Sequence, residues 1–186
     1  FVADLDLARA AAQADAHGVR TSGTVEAMLA RDDIDLVVNL TTPAVHTQVG
    51  QAIVAAGKHV WSEKPIALDA ASSADLRAAA AASGLRVACA PDTVLGAGVQ
   101  TALRAIARGD IGEPLTATTV FHVPGPESWH PDPDFLYAVG AGPLFDMGPY
   151  YVTTLILALG SATRVHAVSS RASAERTIGS GPRAGQ

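Results

Sequence analysis

The sequence is short of several things at once, and each shortage narrows what it can be. It has one cysteine, Cys89, so no internal disulfide framework can form, which fits a reducing, cytoplasmic setting. Only 17% of the residues are charged and 5% aromatic, with a net charge of −5 and no basic stripe carrying interleaved aromatics. Nucleic acid is therefore not an expected partner. Hydrophobic residues make up 48% of the chain, yet polar groups interrupt them; Asp69, Asp75 and Arg77 punctuate the alanine run. No stretch reaches the ~20 apolar residues that span a bilayer. No secretory leader pattern is recognisable. The histidines His46, His59 and His122 are isolated, and no spacing suggests a metal site.

What is present is a rhythm. Phe1 to Ala3 resemble a strand end, Leu5 to His17 carry helical spacing, and Thr24 to Ala30 form a short helix with Thr24 as N-cap. Ile34 to Leu40 is a buried-strand pattern, Ala44 to Ala56 is helical, Gly57 closes that helix, and Lys58 to Ser62 is the next strand. Asp69 caps a helix running to about Ser83, and Leu85 to Ala90 make another strand. Strand, helix, strand in repetition predicts a parallel sheet: an α/β domain of the nucleotide-binding, Rossmann type.

The rhythm changes after a helix over Val99 to Arg108. Leu115 to Val123 is rich in β-branched residues and predicts a strand, followed by a proline-rich and aromatic loop from Pro124 to Tyr137. Gly140 to Leu159 reads as one helix and Arg164 to Arg171 as a strand. A boundary near Pro114 gives a partial dinucleotide-binding domain over 1–113 and the start of an α+β substrate or oligomerisation domain over 114–186. The amino end, already inside a strand, and the tail from Ser180 to Gln186, with no terminal element, read as a piece of a longer protein.

Chemistry concentrates at Glu63-Lys64-Pro65, immediately after a strand. Ligands of a parallel sheet bind beyond the carboxyl ends of its strands, so this triplet lies on the functional rim. Pro65 removes a backbone donor and biases Lys64 to extended geometry, which fixes the direction of its ammonium. An aimed lysine can hydrogen-bond a substrate oxygen; the alternative is a surface ion pair of Glu63 with Lys64.

The surroundings resemble the Gfo/Idh/MocA family of NAD(P)-dependent oxidoreductases. Its hallmark E-K-P follows Gly57-Lys58-His59-Val60 here, and Asn39-Leu40-Thr41-Thr42-Pro43-Ala44-Val45-His46 is similar to the family's turn beside the nicotinamide. Gly140-Ala141-Gly142-Pro143-Leu144-Phe145-Asp146-Met147-Gly148-Pro149-Tyr150 is similar to its G-G-G-x-L-x-D-x-G-x-H segment, with Ala141 for a glycine and Tyr150 where many members have histidine. These matches cover almost the whole chain.

The resemblance implies hydride transfer between a nicotinamide and a secondary alcohol or ketone of a sugar, cyclitol or related polyol. Lys64 would polarise the oxygen, Tyr150 exchange the proton and Asp146 orient the sugar hydroxyls or the lysine. Asp146 and Tyr150 are four apart and would share one helix face. A phenol of reference pKa ~10 is a weak base that a neighbouring ammonium would improve. Read without the family, Asp146 complements a helix dipole and Tyr150 is a buried aromatic. Asn39, Thr41, Thr42, Pro43, His46, Glu63, Lys64 and Pro65 would hold the cofactor. Asp4, at a strand end, would bind the adenosine ribose and favour NAD over NADP, unless it serves as a helix N-cap, for which Asp6 competes. Trp129 and His130 could stack on and donate to a sugar, or merely anchor their loop.

The phosphate fingerprint G-x-G-x-x-G belongs about 20 residues ahead of Asp4, where this sequence has only three residues. It is therefore expected outside this chain, as is most of the second domain. The full-length protein is expected to be a homo-oligomer. A non-catalytic dinucleotide-binding sensor, or an inactive truncated fragment, is the competing reading; it would have no use for a proton relay.

Overall fold

The computed structural model describes residues 1–171 and 173–186. They fall into two compact units, Phe1–Ala90 and Pro91–Gln186. The division precedes the boundary expected near Pro114, because the helix after it packs on later elements.

The first unit is α/β. Strand β1 (Val2–Ala3) pairs in parallel with β2 (Ser22–Gly23), and helix α1 (Leu7–Ala16) connects them. Asp6 starts α1 by accepting from the amides of Ala8 and Arg9, so the cap of this helix is Asp6 and not Asp4. Thr24 caps the short α2 (Val25–Leu29) through the Ala27 amide. A second sheet holds β3 (Leu36–Asn39), β4 (His59–Ser62) and β5 (Val87–Cys89), all parallel and in that order. The single sheet expected from the pattern is thus two sheets: no ladder joins β1 to β3.

Helices α3 (His46–Ala55) and α4 (Ala70–Ala82, capped by Asp69) pack on each other, with α3 against β3 and β4 and α4 against β5. Every second residue of β3 and β4 is buried: Val37 and Asn39, then Val60 and Ser62. Val37 and Val60 join Ile53, Val54, Leu76 and Ala80 in the apolar core. Lys58, itself buried, donates its ammonium to the carbonyls of Arg31 and Ile34 at 2.5 and 3.0 Å, which satisfies a charge that burial would otherwise penalise.

In the second unit, α5 (Ala97–Ala107) and the turn Asp92–Leu95 pack with α7 (Gly148–Leu159). The predicted helix over 140–159 is two helices, α6 (Gly142–Asp146) and α7, broken at Met147. Pro149 has no N–H to return to the preceding turn and sits at the start of α7, where that loss is harmless, so the chain restarts there. Residues 115–123 and 164–171, both expected as strands, form none. Most of their apolar side chains lie exposed, Leu115 at 85% and Val168 fully, since no neighbouring strand among the described residues offers a ladder; Phe121 is half-buried beside the Tyr151 ring. No helix among the described residues is long and apolar enough to cross a membrane.

Candidate active site

Two turns at the carboxyl ends of β3 and β4 are bound to each other. Asn39 ends β3; its amide donates to the His46 carbonyl at 3.1 Å, and its side-chain oxygen accepts from the Thr41 amide and hydroxyl. His46 opens α3 and is 1% exposed, its ring wedged between two carbonyls: Nδ1 is 2.7 Å from the Pro65 oxygen and Nε2 2.7 Å from that of Thr41. Across the ladder, the Glu63 amide donates to the Asn39 carbonyl, and the Glu63 carboxylate folds back to accept the Lys64 amide at 3.0 Å. The Lys64–Pro65 peptide is cis. Lys64 stands half-buried on this turn, engaged within the protein.

These contacts sort the expected cofactor residues. Asn39 and His46 spend their polar atoms on the protein and hold the turns in place. Thr41 and Thr42 are exposed, while Pro43, Glu63, Lys64 and Pro65 are half-buried. Asn39, Ser62 and Cys89 align across the three strands. Among the described residues, the Ser62 hydroxyl is the one buried side-chain polar atom without a hydrogen-bond partner. Cys89 directs its sulfur to the Ala90 carbonyl at 2.8 Å. Burial first, and the Glu63 carboxylate second, push its thiol up to about 11.

At the end of β1, Asp4 is gripped by Arg9 through a two-pronged contact, Nε to Oδ2 at 2.7 Å and the guanidinium NH2 to Oδ1 at 2.6 Å. The Arg9 hydrogen bond, with the Asp6 amide, holds the Asp4 carboxyl down to about 2.

In the second unit, Asp146 closes α6 and Tyr150 lies in α7, so they do not share the face of a single helix as their spacing predicts. Both are half-buried and engaged within the protein. Trp129 and His130 are neighbours: their rings meet edge-to-face at 5.4 Å, and His130 meets Phe135 likewise at 5.3 Å. Trp129 is 66% exposed.

Sequence reasoning missed the buried acid of that loop. Glu127 accepts a short hydrogen bond from the Tyr137 hydroxyl and an ion pair from Arg176 at 3.0 Å. The Tyr137 hydrogen bond, then Arg176, lower its carboxyl below the usual range. Burial and the facing carboxylate raise the Tyr137 phenol. Only the pairing of residues 49 apart in sequence reveals this cluster.

A parallel sheet with polar turns at its carboxyl rim and an orphan buried hydroxyl there suits the nicotinamide half of a dinucleotide. Comparison with known proteins decides the family. Residues 1–90 match the "Oxidoreductase family, NAD-binding Rossmann fold" and residues 99–181 the "GFO/IDH/MocA C-terminal domain". The chain belongs to the Gfo/Idh/MocA oxidoreductase family. It is 32% identical over 161 residues to a dTDP-3,4-didehydro-2,6-dideoxy-alpha-D-glucose 3-reductase of Streptomyces antibioticus, covering 86% of this chain and 48% of that one. An inositol 2-dehydrogenase of Saccharopolyspora erythraea is 31% identical over 131 residues, covering 69% and 39%. Among solved structures, a 3-ketoreductase of Actinomadura kijaniata in complex with NADP and TDP-benzene aligns at TM-score 0.73 and 27% identity, covering 85% of this chain and 48% of that one. This Gfo/Idh/MocA chain therefore spans about half the length of the curated relatives it matches.

Proposed function

We propose that the full-length protein is an NAD(P)-dependent dehydrogenase or reductase acting on a CH–OH group of a sugar, cyclitol or related polyol. The observation that carries this is the rim of the parallel sheet, where the Lys64 turn is locked to the Thr41 turn through His46. The matched relatives, named as sugar reductases and an inositol dehydrogenase, supply the substrate class.

Residues 1–90 hold the cofactor and the remainder serves the substrate. Bound nicotinamide supplies a hydride acceptor or donor. In the oxidative direction the carbinol carbon gives up its hydride while the hydroxyl gives up its proton. Lys64 donates a hydrogen bond to that oxygen and stabilises the charge developing on it. Tyr150 takes the proton and Asp146 orients neighbouring hydroxyls. Thr41, Thr42, Pro43, Glu63, Lys64 and Pro65 would hold the cofactor, with Asn39 and His46 fixing the turns that carry them. Asp4 would accept from ribose hydroxyls, whereas Arg9 suits a 2′-phosphate; together they leave both NAD and NADP open. Trp129 offers a sugar face a stacking surface. Exposed apolar side chains on residues 115–123 and 164–171 suit a homo-oligomer, and the lone unreactive thiol suits the cytoplasm.

Lys64→Ala in the full-length protein is expected to reduce turnover by about 10²- to 10⁴-fold while dinucleotide affinity, read by nicotinamide fluorescence, stays within about twofold. Undiminished turnover would overturn the assignment of Lys64.

A further inference from the structure

The stretch from Arg176 to Gln186, which shows no helix or strand, is folded onto the Trp129 loop. Its own ends are tied together: Ile178 donates to the Gln186 carbonyl at 3.0 Å, and Gly185 to that of Ile178 at 2.8 Å. Ile178 is buried at 6% exposure. From this closed turn, contacts reach the loop along its length. Arg176 pairs with Glu127, the Gly179 amide donates to the Glu127 carbonyl at 2.7 Å, and the Ser180 hydroxyl donates to the Trp129 carbonyl at 2.9 Å. Arg183 spans Asp132 and Asp134 at 2.7 and 2.9 Å.

Two glycines show how closely the segments approach. A methyl on Gly181, whose φ is positive, would collide with the Pro131 side chain, and one on Gly179 would stand 3.0 Å from the Ser128 carbonyl oxygen. Glu127 is the hub. One carboxylate oxygen takes the Tyr137 hydroxyl from within the loop, the other takes Arg176 from the strap, and its own carbonyl takes Gly179. A buried carboxylate so fully partnered resists being moved, since parting it from either donor strands a charge.

We infer that Glu127 and Arg176 are positioning residues: they latch residues 176–186 onto the loop 125–137 and so fix Trp129 and His130 in place for substrate before it arrives. The substrate part of this rests on the dehydrogenase reading above. A loop already ordered avoids the entropic cost of ordering on binding, so its loosening weakens ground-state affinity more than the chemical step.

The test uses the full-length protein with Arg176→Ala, Arg176→Lys and Glu127→Gln. Hydrogen exchange read by mass spectrometry is expected to rise about tenfold in Arg176→Ala, in peptides covering 125–137 and 176–186 together, with β3 and β4 unchanged. The KM for polyol is expected to rise several-fold, with kcat within about twofold. Arg176→Lys should restore part of both, and Glu127→Gln should behave like Arg176→Ala. Exchange that rises in only one segment, or in neither, overturns the latch. Coupled exchange with an unmoved KM overturns the positioning role. A wild-type protein that binds dinucleotide but turns over no polyol sinks the dehydrogenase reading instead, and the exchange result still decides the latch by itself.

Discussion

The two units hold their candidate site loops by opposite means. In the first, the Lys64 turn stands on a sheet whose far side is a continuous apolar core of Val37, Ile53, Val54, Val60, Leu76 and Ala80. In the second, Val94 and Ile178 are the only large aliphatic side chains buried among the described residues, while Leu115, Val139, Leu144 and Val165 are all more than 70% exposed. Its Trp129 loop is held instead by carboxylates and guanidinium groups. Apolar burial is non-directional and is not screened by ionic strength; ion pairs are directional and respond to pH and ionic strength. The first unit should therefore yield to cavities and the second to salt.

The sharpest way to break this contrast is Leu76→Ala. Leu76 is 1% exposed and packs a methyl 3.0 Å from where a Cβ on Gly50 would stand, so truncating it leaves a cavity between α4 and α3. A loss of about 2–5 kcal/mol is expected, read as a lower urea midpoint in Trp61 fluorescence of the Trp129→Phe background. An unshifted midpoint would mean that the sheet rim does not depend on this core. His46→Ala ranks next. Removing the ring strands whichever of the Thr41 and Pro65 carbonyls takes its N–H, at about 1–3 kcal/mol, and should also weaken dinucleotide binding. Asp6→Ala, which removes the cap of α1, is expected to cost about 1 kcal/mol by the same urea assay.

In the second unit Arg183→Ala should cost no more than about 1 kcal/mol, and that difference should vanish in molar salt. A salt-independent loss would place Arg183 on the apolar side of the comparison. The smallest effect concerns Asp4. Its folded-state carboxyl is held near 2, below the ordinary 3.8, so the Arg9 grip contributes in full above pH 3.8 and is lost as pH falls through about 2. Between those values wild type should lose stability that an Asp4→Asn variant lacks from the outset, and acid titration followed by circular dichroism checks it.

The same contrast explains what the sequence could show. Each strand of the three-stranded sheet lies inside the window its pattern predicts, and Thr24 and Asp69 cap the helices assigned to them, because burial period and capping are local properties. Residues 115–123 have equally strong β-branched character yet make no strand; pairing depends on a neighbour that composition does not name. The break before Gly148 was readable in Gly-Pro, but helical spacing on both sides masked it. The E-K-P triplet announced the rim, whereas the ring of His46 between two carbonyls and the Glu127 latch need partners 19 and 49 residues away. Asp4 is expected to serve the ribose; nothing local tells that Arg9 would grip its carboxylate.

Cys89 has a use of its own. It is the single thiol of the sequence, sits on β5 in line with Ser62 at the end of β4, just before the Lys64 turn, and is raised to about 11. Half-buried and so raised, it offers little thiolate to a reagent at neutral pH while the strand is closed, and more when the strand opens. Its rate of labelling is thus a clock for local opening of the sheet rim, one that needs no introduced probe and runs without cofactor or substrate.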